Sequence, residues 1–254
     1  MMTENVVLLE RERDIAVVRL CRGVTNALDL KMVTELAQVV RLVGVDPSFL
    51  GLVLASNNDK FLSIGFDIPN LVQLAREDFA LFFRTFNQVC VDLFALSKPT
   101  AAAITGHAIA GGCILTLCCD YRLIGEGRKL MGLNEIKLGV PVPYVSDCIL
   151  RALVGYRNAR QVIETGDFYS SDESLRLGLV DQVLPQDQVV SESIAKVRAL
   201  GAMPGKAFSL IKVNRVDPVL AEIRGGLEER ERSFIECWYS EAARERLREA
   251  ALKF

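Results

Sequence analysis

The chain has 254 residues, half of them hydrophobic, and its 30 basic and 32 acidic side chains leave a net charge near −2. That is enough chain for one large globular domain, or a domain with an appendage, and the balance of charge excludes a disordered chain or a dedicated nucleic-acid binder. No apolar run has the length of a membrane span, and the first residues lack the basic start and apolar core of a secretion signal.

Residues 6–10 and 15–20 are β-rich and parted by a charged stretch, which predicts an opening hairpin. Met32, Leu36, Val39 and Val40 fall at helical spacing behind Asp29, so residues 30–43 read as an amphipathic helix with an aspartate cap. Residues 51–55 form the next strand. In the following stretch, residues 60–68, Gly65 before the bulky Phe66 marks a sharp turn that Ser63 or Asp67 can cap. Residues 81–96 read as a long helix, closed by Pro99.

The most informative stretch runs from Gly106 to Glu135. A buried strand over 100–104 leads into a glycine-rich turn, 106–112, and then an apolar helix over 113–119. Such a junction leaves backbone N–H groups free at the positive end of a helix, which suits an oxyanion; its plainer reading is a tight turn with close packing. Glu135 follows among mostly apolar neighbours. Helices over 145–154, 156–165 and 171–177, the last capped near Ser171, precede a strand over 179–184. Helical patterns then run to the end, with a composition shift near Pro204. Strands that alternate with helices place the fold in the α/β class.

Seven cysteines without a CxxC pair read as buried apolar residues of a reducing compartment, and the expected location is cytoplasmic. The chain ends Leu252-Lys-Phe, which is not a peroxisomal address. His107 is the only histidine, too few for a triad or a multi-histidine metal site, and no metal is expected.

Five ordered landmarks carry a family resemblance: Asn26-Ala-Leu-Asp29, residues 61–67, Gly106 to Cys113, Cys119-Asp120, and Leu177 to Asp181. Over nearly its whole length the chain resembles the crotonase (enoyl-CoA hydratase/isomerase) superfamily. The resemblance implies a spiral of βαβ units over residues 1–200. It also implies a C-terminal helical oligomerisation region over 201–254, assembly as a homotrimer or hexamer, and an acyl-CoA thioester as substrate. Coenzyme A is then part of the substrate, and no separate cofactor is expected. By motif position the N–H groups of Phe66 and Gly111 hold the thioester oxygen. Ser63, Gly65 and Asp67 meet the coenzyme through their backbones, Ile68 lies near the adenine, and Lys60 either meets a phosphate or is a solvated surface lysine.

One departure from the family pattern decides the expected chemistry. Similar hydratases have two glutamates, and the first of those positions is Ile114 here; the second is Glu135. Hydration needs one group to activate water and another to deliver a proton, whereas moving a double bond needs a single base. The pattern around Gly111 and Glu135 is similar to that of 3-enoyl-CoA to 2-enoyl-CoA isomerases of the mitochondrial type. The expectation is therefore isomerisation by Glu135, with Ile114 as an apolar wall beside it that raises its pKa. The alternatives are a hydratase-like or decarboxylase reaction on an acyl-CoA or acyl-carrier thioester, or a non-catalytic acyl-CoA-binding relative. Phe79, Phe82, Phe83 and Phe86, at helical spacing, either line an acyl pocket or form core.

Overall fold

Two short runs, the second rich in β-branched residues, open the chain as a hairpin: β1 (Val7–Glu12) pairs antiparallel with β2 (Ile15–Leu20) across a turn where Arg13 has φ 59°. The computed structural model describes residues 5–253, so the readings made of residues 1–4 and of Phe254 lie outside it. Asp29 accepts the Met32 N–H at 2.8 Å and starts α1 (Leu30–Val45) as its place ahead of the apolar periodicity predicts. β3 (Gly51–Ser56) is buried along its whole length. β4 (Phe61–Ser63) is followed by a single helical turn, α2 (Ile68–Leu71), capped by Asp67. The next helix, α3 (Arg76–Ala95), starts at Arg76 rather than at residue 81. Glu77 and Asp78 give it an acidic first turn, a favourable partner for the helix dipole that an apolar period does not register.

The glycine-rich stretch is more structured than a turn. Between β5 (Thr100–Ile104) and α4 (Gly111–Leu117) lies a further strand, β6 (His107–Ile109), and the chain continues through β7 (Tyr121–Gly125) and β8 (Met131–Gly132). Three residues are too few to show a period, so β6 exists only through its partners in the sheet. α5 (Tyr144–Thr165) breaks at Gly155, whose φ of 73° and ψ of 162° separate the two helices predicted there. α6 (Ser171–Leu177) is capped by Ser170, one residue ahead of the expected Ser171, with Glu173 closing a capping box. β9 (Gln182–Leu184), α7 (Val189–Gly201), α8 (Gly205–Trp238) and α9 (Glu241–Ala251) complete the described chain.

Six strands form one sheet in the order β1-β2-β3-β5-β7-β9, parallel from β2 onward. The two-residue side-chain period of a strand then divides the interior in two. Ile15, Val17, Val53, Ala101 and Ala103 face one way, together with Val189 and Val197 of α7. Ala16, Val18, Leu52, Leu54 and Ala102 face the other and join the larger core with α1 and α3.

A smaller sheet, β4-β6-β8, is wholly parallel. Its strands are short, and their carboxyl ends lead directly into Gly65-Phe66, Ala110-Gly111 and Asn134-Glu135. The C-terminal helices pack on other helices, α8 on α3 and α5, and α9 on α2. Lys212 of α8, 2% exposed, reaches Asp120 at 2.7 Å and the Lys98 carbonyl at 3.1 Å, and Arg215 meets the same aspartate. Farther along α8, the Trp238 ring stacks on Phe79 at 4.2 Å and Phe234 stacks on Phe83 at 4.0 Å.

Candidate active site

The loop after β4 is fixed from within. Asn26, held at φ 46° and fully buried, sends its amide to Ser56 Oγ at 2.9 Å and the Leu62 carbonyl at 3.1 Å. Ser63 donates to the Asn26 carbonyl at 2.7 Å and accepts the Gly65 N–H at 3.1 Å. Gly65 has φ 95°, and a Cβ there would stand 2.9 Å from both Gly111 N and Ala110 Cβ. Only glycine lets the β4 and β6 loops approach this closely. On the other side Ala110 is held at φ 47° and ψ −120°, a sparsely populated conformation for a non-glycine residue, and it turns the chain from β6 into α4.

The outcome is two loops in contact with two N–H groups left over. The Gly65 N–H goes to Ser63 and the Asp67 N–H to the Leu28 carbonyl at 2.9 Å, but among the described hydrogen bonds none uses the N–H of Phe66 or of Gly111. Both residues line a cavity of about 600 Å³.

Glu135 lines the same cavity at the start of a 3-10 turn, Glu135–Leu138. It is 6% exposed, and its Oε2 has no hydrogen-bond partner. Burial pushes its pKa up to about 7, against a smaller lowering by a backbone hydrogen bond. The remaining walls are largely apolar and include Ile68, Leu138, Val140, Phe234 and Trp238, with Arg246, Glu249 and Lys253 of the C-terminal region at the cavity. A carboxyl balanced between its two forms, near two free N–H donors in an apolar chamber, can take a proton from a carbon acid and return it.

The Enoyl-CoA hydratase/isomerase family profile matches residues 10–246. The chain belongs to the enoyl-CoA hydratase/isomerase family. It is 30% identical over 199 residues to the human protein named Enoyl-CoA delta isomerase 1, mitochondrial. That alignment spans 78% of this chain but only 66% of the human protein, just under two thirds of its length. It is also 32% identical to a Crotonyl-CoA hydratase of Syntrophomonas wolfei, over 74% of this chain and 72% of the relative. Among solved structures, the human mitochondrial delta3-delta2-enoyl-CoA isomerase superposes with a TM-score of 0.93 at 26% identity, covering 98% of this chain and 97% of that one. The fold is therefore the crotonase fold.

Against that family pattern the cavity sorts the sequence-based candidates. Phe66, Ile68, Gly111 and Glu135 line it. Ile114 does not: it is 1% exposed and belongs to the main core. The residue on α4 that feels the Glu135 carboxylate is Cys113, whose thiol pKa is raised by burial and then by that charge. Ser63, Gly65 and Asp67 lie outside the lining as well. The first two are tied to each other, and the Asp67 carboxylate pairs with Arg22 at 2.7 Å, so these groups brace the loop from behind. Lys60 is exposed and also outside the lining.

The four phenylalanines of α3 are at most 1% exposed and none lines the cavity; they form core, while Phe234 and Trp238 of α8 supply the aromatic wall. Sequence reasoning missed those two because they lie about a hundred residues from Glu135 and reach the cavity only through tertiary packing. Arg22 was missed for a similar reason, and Asn26 was named only as part of a landmark, without its bracing role. A buried polar residue in a loop has no period to betray it. Among the described residues no cluster of His, Cys, Asp or Glu could hold a metal ion, and no helix is long and apolar enough to cross a membrane.

Proposed function

We propose that the protein isomerises 3-enoyl-CoA to 2-enoyl-CoA, with Glu135 as the only base. The observation that carries this reading is the buried Glu135 carboxyl, with a partnerless oxygen and a pKa of about 7. Glu135 removes the C2 proton of the 3-enoyl thioester, the resulting dienolate carries its charge on the thioester oxygen, and the same carboxyl returns the proton at C4. The N–H groups of Phe66 and Gly111 receive the oxyanion; one such donor lowers the barrier by roughly 3 to 4 kcal/mol in comparable sites. The chemistry calls for no separate cofactor, since coenzyme A arrives with the substrate.

A hydratase needs a second group to hold water, and Ile114, packed in the core, offers none. Glu249, the other carboxylate at the cavity, is exposed to solvent. The experiment follows conversion of 3-enoyl-CoA to the conjugated product by ultraviolet absorbance. Glu135→Gln should retain acyl-CoA binding and lose at least about 10²-fold in turnover. Faster hydration of 2-enoyl-CoA than isomerisation of 3-enoyl-CoA by the wild type would overturn the reading.

The proposal extends to a cytoplasmic homotrimer or hexamer. Leu210, Ile211 and Val213 of α8 are exposed apolar side chains in the region assigned to assembly, and light scattering reads the mass directly.

A further inference from the structure

Glu135 has to reach both C2 and C4 of the substrate, so the acyl chain from C5 onward leaves along the flank of this residue. The segment that follows it in the chain, residues 136–144, forms that flank. Gly139, at φ 77°, turns the segment back, and the Val140 N–H donates to the Glu135 carbonyl at 3.1 Å, which holds Val140 close to the base. Phe234 of α8 lines the same cavity and is held from behind, its ring stacked on Phe83. Both Val140 and Phe234 are 3% exposed.

A second cavity, of about 650 Å³, adjoins the first, of about 600 Å³. Val140 and Phe234 are the residues that line both, so the partition there is one side chain thick. The walls of the second cavity include the apolar Ile136, Val142 and Ile163. Charged pairs complete it: Arg151 is bound to Asp147 at 3.0 Å and to Glu222 at 2.8 Å. A hydrocarbon tail finds apolar surface in this space, and the cost of desolvating those charges bounds how far it can go.

We propose that Val140 and Phe234 set the acyl-chain length that the protein accepts. The chain ends against this partition, and the second cavity takes a longer chain only when the partition is thinned. The inference rests on the thioester reading of the first cavity and names which thioesters fit it. Each methylene buried from water contributes about fourfold in affinity, so a chain that meets a wall shows as a break in a series of lengths.

Calorimetric binding of saturated acyl-CoA thioesters, from butanoyl-CoA to tetradecanoyl-CoA in even-numbered steps, reads that break without turnover. For the wild type, affinity should climb by about tenfold per step and then level or fall at a limiting length. Val140→Ala and the double variant V140A/F234L should move the break at least one step longer. Ile136→Trp fills the second cavity from a position 51% exposed, and should return V140A/F234L to the wild-type limit. Ile163→Ala enlarges the second cavity alone and should leave the break in place. Because Phe234 is stacked in the core, Val140→Ala carries the test by itself if the double variant fails to fold.

A wild type whose affinity climbs through tetradecanoyl-CoA without a break would overturn the assignment. So would a break that Val140→Ala leaves unmoved, or a longer limit that persists when Ile136→Trp is added. A wild type that shows the break but does not isomerise 3-enoyl-CoA sinks only the isomerase reading. One that isomerises and shows no break sinks only the partition, and one that binds no acyl-CoA sinks both.

Discussion

Glu135 shows how one residue can be set for chemistry at a cost to the fold. Its carboxyl has a folded pKa of about 7, raised by burial above the ordinary value of 4.5. As the base, it must be ionised, so kcat/KM for isomerisation should rise with pH up to about 7 and level off above it. The effect on stability has the opposite sign. Below pH 4.5 the carboxyl is protonated in both states and stability is highest; as pH rises toward 7 the unfolded chain ionises first and stability falls. The shift corresponds to about 3 kcal/mol at most. Glu135→Gln should therefore melt above the wild type at pH 8 and close to it at pH 4.5, which a melting series across that range measures. An unchanged melting difference across the series would mean that Glu135 ionises freely in the folded protein.

Single elements matter here mainly at their ends. β4 and β6 are three-residue strands, too short to be stable alone, and what they deliver is the contact between Gly65 and Gly111. Gly65→Ala should force that contact apart, both because φ is 95° and because the new Cβ would stand 2.9 Å from Gly111 N. The expected result is a loss of about 10²-fold in turnover, with roughly 1 to 3 kcal/mol of destabilisation. Gly23→Ala is the control. Gly23 also has positive φ, at 59°, but a Cβ there meets nothing within 4 Å, so its substitution should lower stability by a similar strain and leave turnover intact. Equal turnover in the two variants would show that the loop contact does not aim the N–H groups.

For the whole molecule, α8 is the connecting beam. Lys212 near its start is anchored in a buried cluster with Asp120, and Phe234 and Trp238 near its end wall the cavity. The region assigned to assembly thus also completes the chamber. Lys212→Ala leaves Asp120 with Arg215 and Thr100 only, and the loss of a buried partner should destabilise by about 3 kcal/mol or more in urea unfolding. Trp238 is the one tryptophan and is 1% exposed, so its fluorescence reports on the same wall. The variant should shift that emission toward the red below the main transition; coincident curves would show that α8 does not loosen ahead of the core.

The sequence by itself determined the alternation of strands and helices, the Asp29 cap, the break at Gly155 and the positions of Phe66, Gly111 and Glu135. Each is written in a local period, a cap or a contiguous landmark. It misplaced what depends on distance. β6 has no period of its own, and Ser170 replaces Ser171 as cap by a one-residue choice of geometry. The tertiary structure alone decided that Trp238 and Phe234 wall the cavity and that Ser63 and Asp67 face the loop. It also decided that His107 loses its free choice of tautomer to the Leu130 N–H. Those outcomes follow from which surfaces bury together, and burial is a property of the assembled chain that no short window of residues contains.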